Sequence, residues 1–206
     1  DYIQTYEDCE ATFKYLNDIG INVIQISAIG PIPAEKVAYL TEKYNMDVCV
    51  THTSFDRMLS DLDTVMKEHK MLGCDTLGIG AMPDKYRKDT ESIKEFIKIT
   101  SEIGKKMHDN GLQFAYHNHA FEFEKIDGKF GFDMITEGMN HEGFKYILDV
   151  YWLAFAGVNP SKFIRERKDN IACIHFKDLK IKDNTPMFAE IGNGNLRLQI
   201  EIVFRK

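Results

Sequence analysis

Apolar segments rich in β-branched residues alternate along this chain with segments of helical periodicity. Six of these apolar segments begin near residues 23, 48, 76, 113, 145 and 171, and they recur every 25 to 37 residues. Near-continuous apolar character is typical of strands that are covered on both faces, as in a parallel sheet. No Pro-, Gly- or Ser-rich linker interrupts the pattern, so it predicts one α/β domain of successive βα units over residues 1–206.

The segments between the predicted strands carry helix-end signals. Thr5, with Asp8 three residues later, resembles a capping box, and Pro33 suits a first helical turn. Gly73 and Gly111 follow periodic apolar segments and predict left-handed helix terminators. These signals favour amphipathic helices between consecutive strands.

Two architectures share this alternation, the doubly wound open sheet and the closed barrel. The open nucleotide-binding sheet usually has a G-x-G-x-x-G sequence after its first strand, and this chain has none. We therefore expect a (β/α)8 TIM barrel. A typical barrel has about 250 residues, whereas this chain of 206 residues begins directly in a helix and ends in a charged segment. We expect a fragment without the first and last strands, and residues 195–203 are compatible with either a helix or a strand.

The composition excludes several classes of partner. Lys and Arg number 26 and Asp and Glu 32, so the formal net charge is −6, and no basic run offers a surface for nucleic acid or an anionic membrane. No segment approaches the roughly 20 apolar residues of a membrane helix. The four cysteines form no C-x-x-C pair, so neither a disulfide framework nor a zinc ribbon is expected. We expect a cytoplasmic protein that acts on a small molecule, and the free edges of an open sheet favour a homo-oligomer.

Polar residues follow the predicted strands at the end where the loops of a parallel barrel converge. His52 ends the second strand, His117 and His119 end the fourth, Asp149 ends the fifth and His175 ends the sixth. Carboxylate and imidazole side chains on neighbouring strands can hold one divalent ion and leave positions open for substrate oxygens. Because no thiolate is among them, they suit Mn²⁺, Mg²⁺, Co²⁺ or Fe²⁺, and Zn²⁺ less well. The sequence therefore predicts one divalent ion, with Mn²⁺ as the first choice.

Four segments, in this order, resemble a known family. They are YHNHAFEF at 116–123, LDVYW at 148–152, HFKDL at 175–179 and EIGNGNL at 190–196. Together they are similar to the sugar phosphate isomerase/epimerase family, within the xylose-isomerase-like TIM barrels. The resemblance covers nearly the whole chain, and it implies a metal-dependent isomerase or epimerase acting on a sugar or sugar derivative.

The resemblance also implies a set of metal ligands. The family holds its ion with an acidic residue after the fifth barrel strand, an Asp after the sixth, a His after the seventh and a Glu on the eighth. Carried over, these are Glu122, Asp149 and His175, and this chain ends before the eighth-strand Glu. Many relatives have the first ligand within the fifth strand itself, so His117 or His119 could replace Glu122. We expect Glu122, Asp149 and His175 to converge at an open mouth.

Other residues are expected to bind or transform the substrate. Relatives that bind several metals or cut DNA carry a His three positions after the sixth-strand Asp, and this chain has Trp152 there. An indole has no lone pair for a metal but can stack on a sugar, so we assign substrate binding to Trp152. We also expect His52 and Glu190 to bind the substrate. Glu190 is expected to lie too far along its loop to be a ligand.

The expected mechanism begins with removal of the proton next to a carbonyl. Glu122, His117 or His119 would take this proton, and the metal and Lys177 would stabilise the enediolate. Reprotonation gives isomerisation or epimerisation, whereas loss of a β-substituent makes the protein a lyase or dehydratase. A degenerate sugar-binding barrel is the non-enzymatic alternative. Asp149 could also be a simple helix cap, and Trp152 could be core packing.

Overall fold

The computed structural model of the chain describes residues 3–139 and 142–196. Its strands, in chain order, are β1 (Val23–Ser27), β2 (Asp47–His52), β3 (Thr76–Ile79), β4 (Gln113–His117), β5 (Lys125–Ile126), β6 (Lys129–Phe130), β7 (Phe144–Asp149), β8 (Ile171–His175), β9 (Asp178–Lys182) and β10 (Thr185–Ala189). Its α-helices are α1 (Tyr6–Asp18), α2 (Ala34–Lys43), α3 (Phe55–Met71), α4 (Thr90–Asp109), α5 (Gly131–Gly138), α6 (Val150–Phe155) and α7 (Pro160–Arg167).

A six-stranded parallel sheet forms the centre of the molecule. The strands lie in the order β1-β2-β3-β4-β7-β8, and every neighbouring pair is parallel. Each of the six predicted strands begins within one residue of the expected position. Because the order follows the chain and helices separate the strands, this is the βα succession of a barrel, as predicted.

The sheet is curled but not closed among the described residues. No strand pairs with the outer edge of β1 or of β8 in this part of the chain. The curl brings β8 towards β2, and it joins the two edge strands through side chains: the Gln25 amide on β1 and the His175 ring on β8 are 2.7 Å apart. The expected incomplete barrel is thus confirmed. Residues 195–203, for which the sequence is compatible with a helix or a strand, lie mostly outside the described part of the chain.

The helix-end signals have the predicted geometry. Thr5 and Asp8 form a reciprocal capping box at α1, with both hydrogen bonds at 3.1 Å. Gly73 and Gly111 take positive φ angles of 67° and 77° directly after α3 and α4. Pro33 is the N-cap of α2 instead of its first residue. None of the described helices combines the length and apolar character needed to cross a membrane.

Side-chain alternation along the strands separates two apolar layers. On β4, Phe114 and Tyr116 are fully buried against the helices, in the large core that includes Phe96 of α4. Ala115, between them, packs with Ile147 inside the curl of the sheet. Because successive side chains on a strand point to opposite faces, this register also places His117 on the inner face.

A hairpin that the sequence analysis did not predict follows the central sheet. β9 and β10 pair in an antiparallel ladder after β8, and the predicted last strand ends at His175, before Lys177. The buried carboxylate of Asp178 accepts hydrogen bonds from the backbone amides of Leu179, Gly192, Gly194 and Leu196. The Gly192–Gly194 turn is therefore held by this carboxylate.

A close approach inside the sheet makes Gly78 a test of the fold. A Cβ at this buried position would lie 2.5 Å from Ile147 Cδ1 and 3.0 Å from the Thr51 carbonyl oxygen. We expect Gly78→Ala to lower the free energy of unfolding by about 1–3 kcal/mol, because the extra methyl overpacks the interior. Urea denaturation followed by circular dichroism measures this loss.

The matched control removes the atom that the new methyl meets. Ile147→Val deletes Cδ1 and alone costs about 0.5–1.5 kcal/mol. We expect the double variant to lose less stability than the sum of the single variants. Strict additivity would contradict the packing of β3 against β7 described above.

Candidate metal centre

Three side chains at the carboxyl ends of adjacent strands converge inside the mouth of the sheet. His117 ends β4, Asp149 ends β7 and His175 ends β8, and each offers one ligand atom within 4.8 Å of the other two. His117 Nε2 lies 3.0 Å from His175 Nδ1 and 3.4 Å from Asp149 Oδ2, and His175 Nδ1 lies 3.7 Å from that oxygen. Parallel strands produce this convergence because their carboxyl ends share one edge of the sheet.

Hydrogen bonds on the far sides of both rings orient these ligand atoms. His117 Nδ1 is 2.8 Å from the Gly80 carbonyl oxygen, and His175 Nε2 is 2.7 Å from Gln25 Oε1. Because both partners are acceptors, these outer nitrogens carry the hydrogens. The inner nitrogens, His117 Nε2 and His175 Nδ1, then face each other and the Asp149 carboxylate, and each has a lone pair for a cation when its ring is neutral.

The two oxygens of the Asp149 carboxylate have different partners. Oδ1 accepts hydrogen bonds from the Tyr151 and Trp152 backbone amides and so caps α6, at 3.0 and 3.4 Å. Oδ2 faces the two histidines and accepts a 2.6 Å hydrogen bond from Lys177 Nζ. Helix capping and participation in the cluster are therefore compatible.

Asp149 remains ionised despite its complete burial. Removal from water opposes ionisation, but the neighbouring His117, His175 and Lys177 outweigh it and hold the pKa of the carboxyl well below its ordinary value. The ammonium of Lys177, on a side chain that is 40% exposed, thus connects the buried carboxylate to the opening.

Two further histidines face the same opening. The ring centroid of His52 lies 5.2 Å from that of His117, and the centroid of His119 lies 4.7 Å from it. Burial, followed by the nearby imidazoles, lowers the pKa of His52 to about 3 and that of His119 to about 4, so both rings are neutral. His52 Nε2 and His119 Nδ1 are buried without a hydrogen-bond partner among the described residues.

Glu122 lies outside the ligand cluster. Its carboxylate accepts hydrogen bonds from the Tyr116 hydroxyl at 2.7 Å and from the His119 backbone amide at 2.8 Å. Burial raises the pKa of this carboxyl above its ordinary value. The expected convergence of Glu122, Asp149 and His175 is therefore not found. His117, the alternative from the fourth predicted strand, lies in the cluster instead, because its side chain is on the inner face.

The remaining predicted site residues lie beside the cluster or away from it. Trp152 is half-buried, with its ring 5.2 Å from that of His119 and 6.0 Å from that of Phe188 on the hairpin. Glu190 is exposed after β10, accepts a hydrogen bond from the Asn193 side chain and lies outside the ligand group. The sequence analysis missed Gln25, although a glutamine between Ile24 and Ile26 in an apolar strand was a visible signal.

The three ligand atoms are spaced as a metal site requires. An ion about 2.0–2.2 Å from each ligand atom keeps those atoms about 3–3.6 Å apart in tetrahedral or octahedral geometry. Two of the observed separations, 3.0 and 3.4 Å, lie in that range, and the third, 3.7 Å, is just above it. The donor set and its fixed lone pairs therefore fit a divalent ion.

Comparison with known proteins identifies the family. The family described as xylose isomerase-like TIM barrel matches residues 13–205. The chain belongs to this family. No curated protein matches the sequence significantly.

Several solved structures share the fold of this chain at low sequence identity. A sugar phosphate isomerase/epimerase from Parabacteroides distasonis has a TM-score of 0.70 at 17% identity, over 88% of this chain and 76% of that one. The probable 3-DHS dehydratase from Bacillus anthracis has a TM-score of 0.67 at 10% identity, over 88% and 74%. An AP endonuclease, family 2, from Brucella melitensis has a TM-score of 0.67 at 14% identity, over 84% and 75%. This xylose isomerase-like chain therefore shares its architecture with proteins of several activities.

The split role of Asp149 leads to a stability prediction. Asp149→Ala removes the acceptor that caps α6, whereas Asp149→Asn keeps a side-chain oxygen at the same place. We expect the Ala variant to be less stable than the Asn variant by about 1 kcal/mol, the usual contribution of an N-cap. Urea denaturation in the presence of a chelator measures the difference, and equal stabilities would show that Oδ1 does not cap the helix.

Proposed function

We propose that this protein is a metal-dependent enzyme that isomerises or epimerises a sugar or sugar derivative, beginning with removal of the proton next to a carbonyl. The observation that carries this proposal is the convergence of His117 Nε2, Asp149 Oδ2 and His175 Nδ1, with the outer nitrogens of both rings committed to other acceptors. Family membership supports the proposal, since one structural neighbour is described as a sugar phosphate isomerase/epimerase.

These three residues would hold the ion. A bound divalent ion acts as a Lewis acid that polarises a carbonyl or hydroxyl oxygen of the substrate. Mn²⁺ remains the first ion to test, and the second imidazole makes Co²⁺, Fe²⁺ and Zn²⁺ close competitors of it.

The histidines around the cluster supply the hydrogen-bonding groups for a polyhydroxy compound. An unpaired buried polar group costs about 1–3 kcal/mol, and His52 Nε2 and His119 Nδ1 are two such groups at one opening. Substrate hydroxyls would satisfy both. His119 is the candidate base, because His117 belongs to the ligand set and both oxygens of Glu122 already accept hydrogen bonds.

Glu122 and Lys177 have supporting roles in this scheme. By accepting the His119 backbone amide, Glu122 fixes the segment that carries the base. The Lys177 ammonium lies 2.6 Å from Asp149 Oδ2 and reaches the opening, where it can stabilise negative charge on an enediolate oxygen. A dehydratase would begin with the same proton removal, so analysis of the product distinguishes isomerisation from elimination.

Trp152 provides an apolar surface for the sugar. Its ring lies beside His119 and is flanked by Phe188, so it forms one wall of the opening. Sugar rings present C–H faces that pack on aromatic rings. A net charge of −6 also favours a small sugar over DNA as the substrate.

Metal titration of single variants tests the ligand set. We expect the wild-type chain to bind one equivalent of Mn²⁺ or Co²⁺ in isothermal titration calorimetry. His117→Ala and His175→Ala should weaken binding by more than the roughly 10–100-fold cost of losing an outer-shell partner. Glu122→Gln should bind with wild-type affinity, because its carboxylate is not in the cluster.

The matched control is His108→Ala, an identical substitution at an exposed histidine of α4. It should leave the isotherm unchanged. Loss of metal from Glu122→Gln, together with retention by His117→Ala, would contradict the proposed ligand set and restore Glu122 as the first ligand.

Trp152 offers an independent test of sugar binding, because it is the single tryptophan of the chain. We expect its fluorescence to change when a ketose or aldose is added to the metal-loaded protein. Trp152→Phe should keep one equivalent of metal but bind the sugar more weakly, since the smaller ring offers less stacking area and no N–H donor. Equal sugar affinity of the two proteins, measured by calorimetry, would assign Trp152 to core packing.

A further inference from the structure

Gln25 joins the two edge strands of the sheet at the ligand cluster. It is a half-buried amide in the middle of β1, and its Oε1 lies 2.7 Å from Nε2 of His175 on β8. Its Nε2 donates a 2.8 Å hydrogen bond to Ser27 Oγ, two residues further along the same strand. Both ends of the amide are therefore committed.

This pair of hydrogen bonds determines the tautomer of His175. With its NH₂ group directed to Ser27, the Gln25 amide presents only its oxygen to the ring. An amide oxygen can only accept, so His175 carries a hydrogen on Nε2, and in the neutral ring the lone pair is then on Nδ1. That lone pair points towards His117 Nε2 and Asp149 Oδ2.

The outer nitrogen of His117 has a backbone partner instead. Its Nδ1 donates to the backbone carbonyl of Gly80, a partner that no side-chain substitution removes. Of the hydrogen-bond partners that orient the two histidines, Gln25 is thus the one that a side-chain substitution removes. Its neutral amide orients His175 without adding a second negative charge beside Asp149.

We propose that Gln25 is a positioning residue that holds His175 in the Nε2–H tautomer and so prepares Nδ1 to bind a divalent cation. The proposal rests on the proposed metal centre for its effect on affinity, whereas its effect on the tautomer is independent of metal. Ser27 acts one step further out, by setting the orientation of the amide.

Nitrogen NMR of the metal-free chain tests the tautomer directly. Long-range ¹H–¹⁵N correlation spectra at alkaline pH distinguish Nε2–H from Nδ1–H histidines, and the His175→Ala variant identifies the signal. We expect the Nε2–H pattern in the wild type and a mixture of tautomers in Gln25→Leu, which has a similar size but no acceptor. Gln25→Glu, which keeps an acceptor oxygen, should restore the wild-type pattern.

Metal titration of the same variants gives the second measurement. We expect Gln25→Leu to bind Mn²⁺ or Co²⁺ about 10–100-fold more weakly, the usual cost of an outer-shell partner. Gln25→Glu should bind at least as tightly as the wild type, because a carboxylate keeps the acceptor and is a usual hydrogen-bond partner of ligating histidines. The control is Gln113→Leu, the same change at a half-buried glutamine at the opposite end of β4.

The outcomes separate the two proposals. If Gln25→Leu keeps both the Nε2–H tautomer and the wild-type affinity, Gln25 has no positioning role. If the wild type binds no divalent ion, the metal centre is refuted, while the spectra still decide the tautomer. Should Gln25→Leu fail to fold, Ser27→Ala replaces it, and it should shift the tautomer in the same direction by a smaller amount; an unchanged spectrum would overturn the proposal.

Discussion

The carboxylate of Asp149 is a fully buried negative charge at the end of a central strand, and the mouth of the sheet is arranged around it. An isolated buried carboxylate costs several kcal/mol, so it persists only with charged or hydrogen-bonding partners. Oδ1 accepts hydrogen bonds from two amides in the first turn of α6. Oδ2 accepts one from Lys177 and lies within 3.7 Å of a ring nitrogen of each of the two histidines. The buried Asn118 also bonds the Asp149 backbone amide and so ties the end of β4 to β7. Secondary structure and candidate chemistry thus depend on the same residue.

The strands could be predicted because their signal is local. Each of the six carries its own apolar run, and its carboxyl end follows from the barrel rule, so Asp149 and His175 were placed without knowledge of contacts. Choosing between His117 and Glu122 required the register of β4. Tyr116 faces the helices and His117 faces inward, and the 3₁₀ turn Phe121–Phe123 then directs Glu122 back towards the Tyr116 hydroxyl. The direction of the Glu122 side chain therefore depends on where β4 ends, and the sequence pattern predicts strand ends only approximately.

Long-range partners were beyond sequence analysis for a different reason. Gln25 and His175 lie 150 positions apart, and only the curl of the sheet brings them together. The β9–β10 hairpin is a second case, because its anchor is the Asp178 carboxylate, whose acceptor role depends on amides as far away as Leu196. In both cases a polar residue was visible in the sequence, but its partner was set by tertiary structure.

The curl of the sheet and the candidate centre depend on each other. The ligand atoms come from β4, β7 and β8, and the Gln25 amide extends the same network to β1. The Gln25–His175 hydrogen bond thus links the two outer edges, which no backbone ladder joins in the described part of the chain. A cation bound by the three ligands would favour the curled sheet over any flatter arrangement, because a ligand stabilises the conformation that binds it. By the same linkage, whatever holds β1 against β8 strengthens the site, which is why an amide on the first strand can matter to an imidazole on the last.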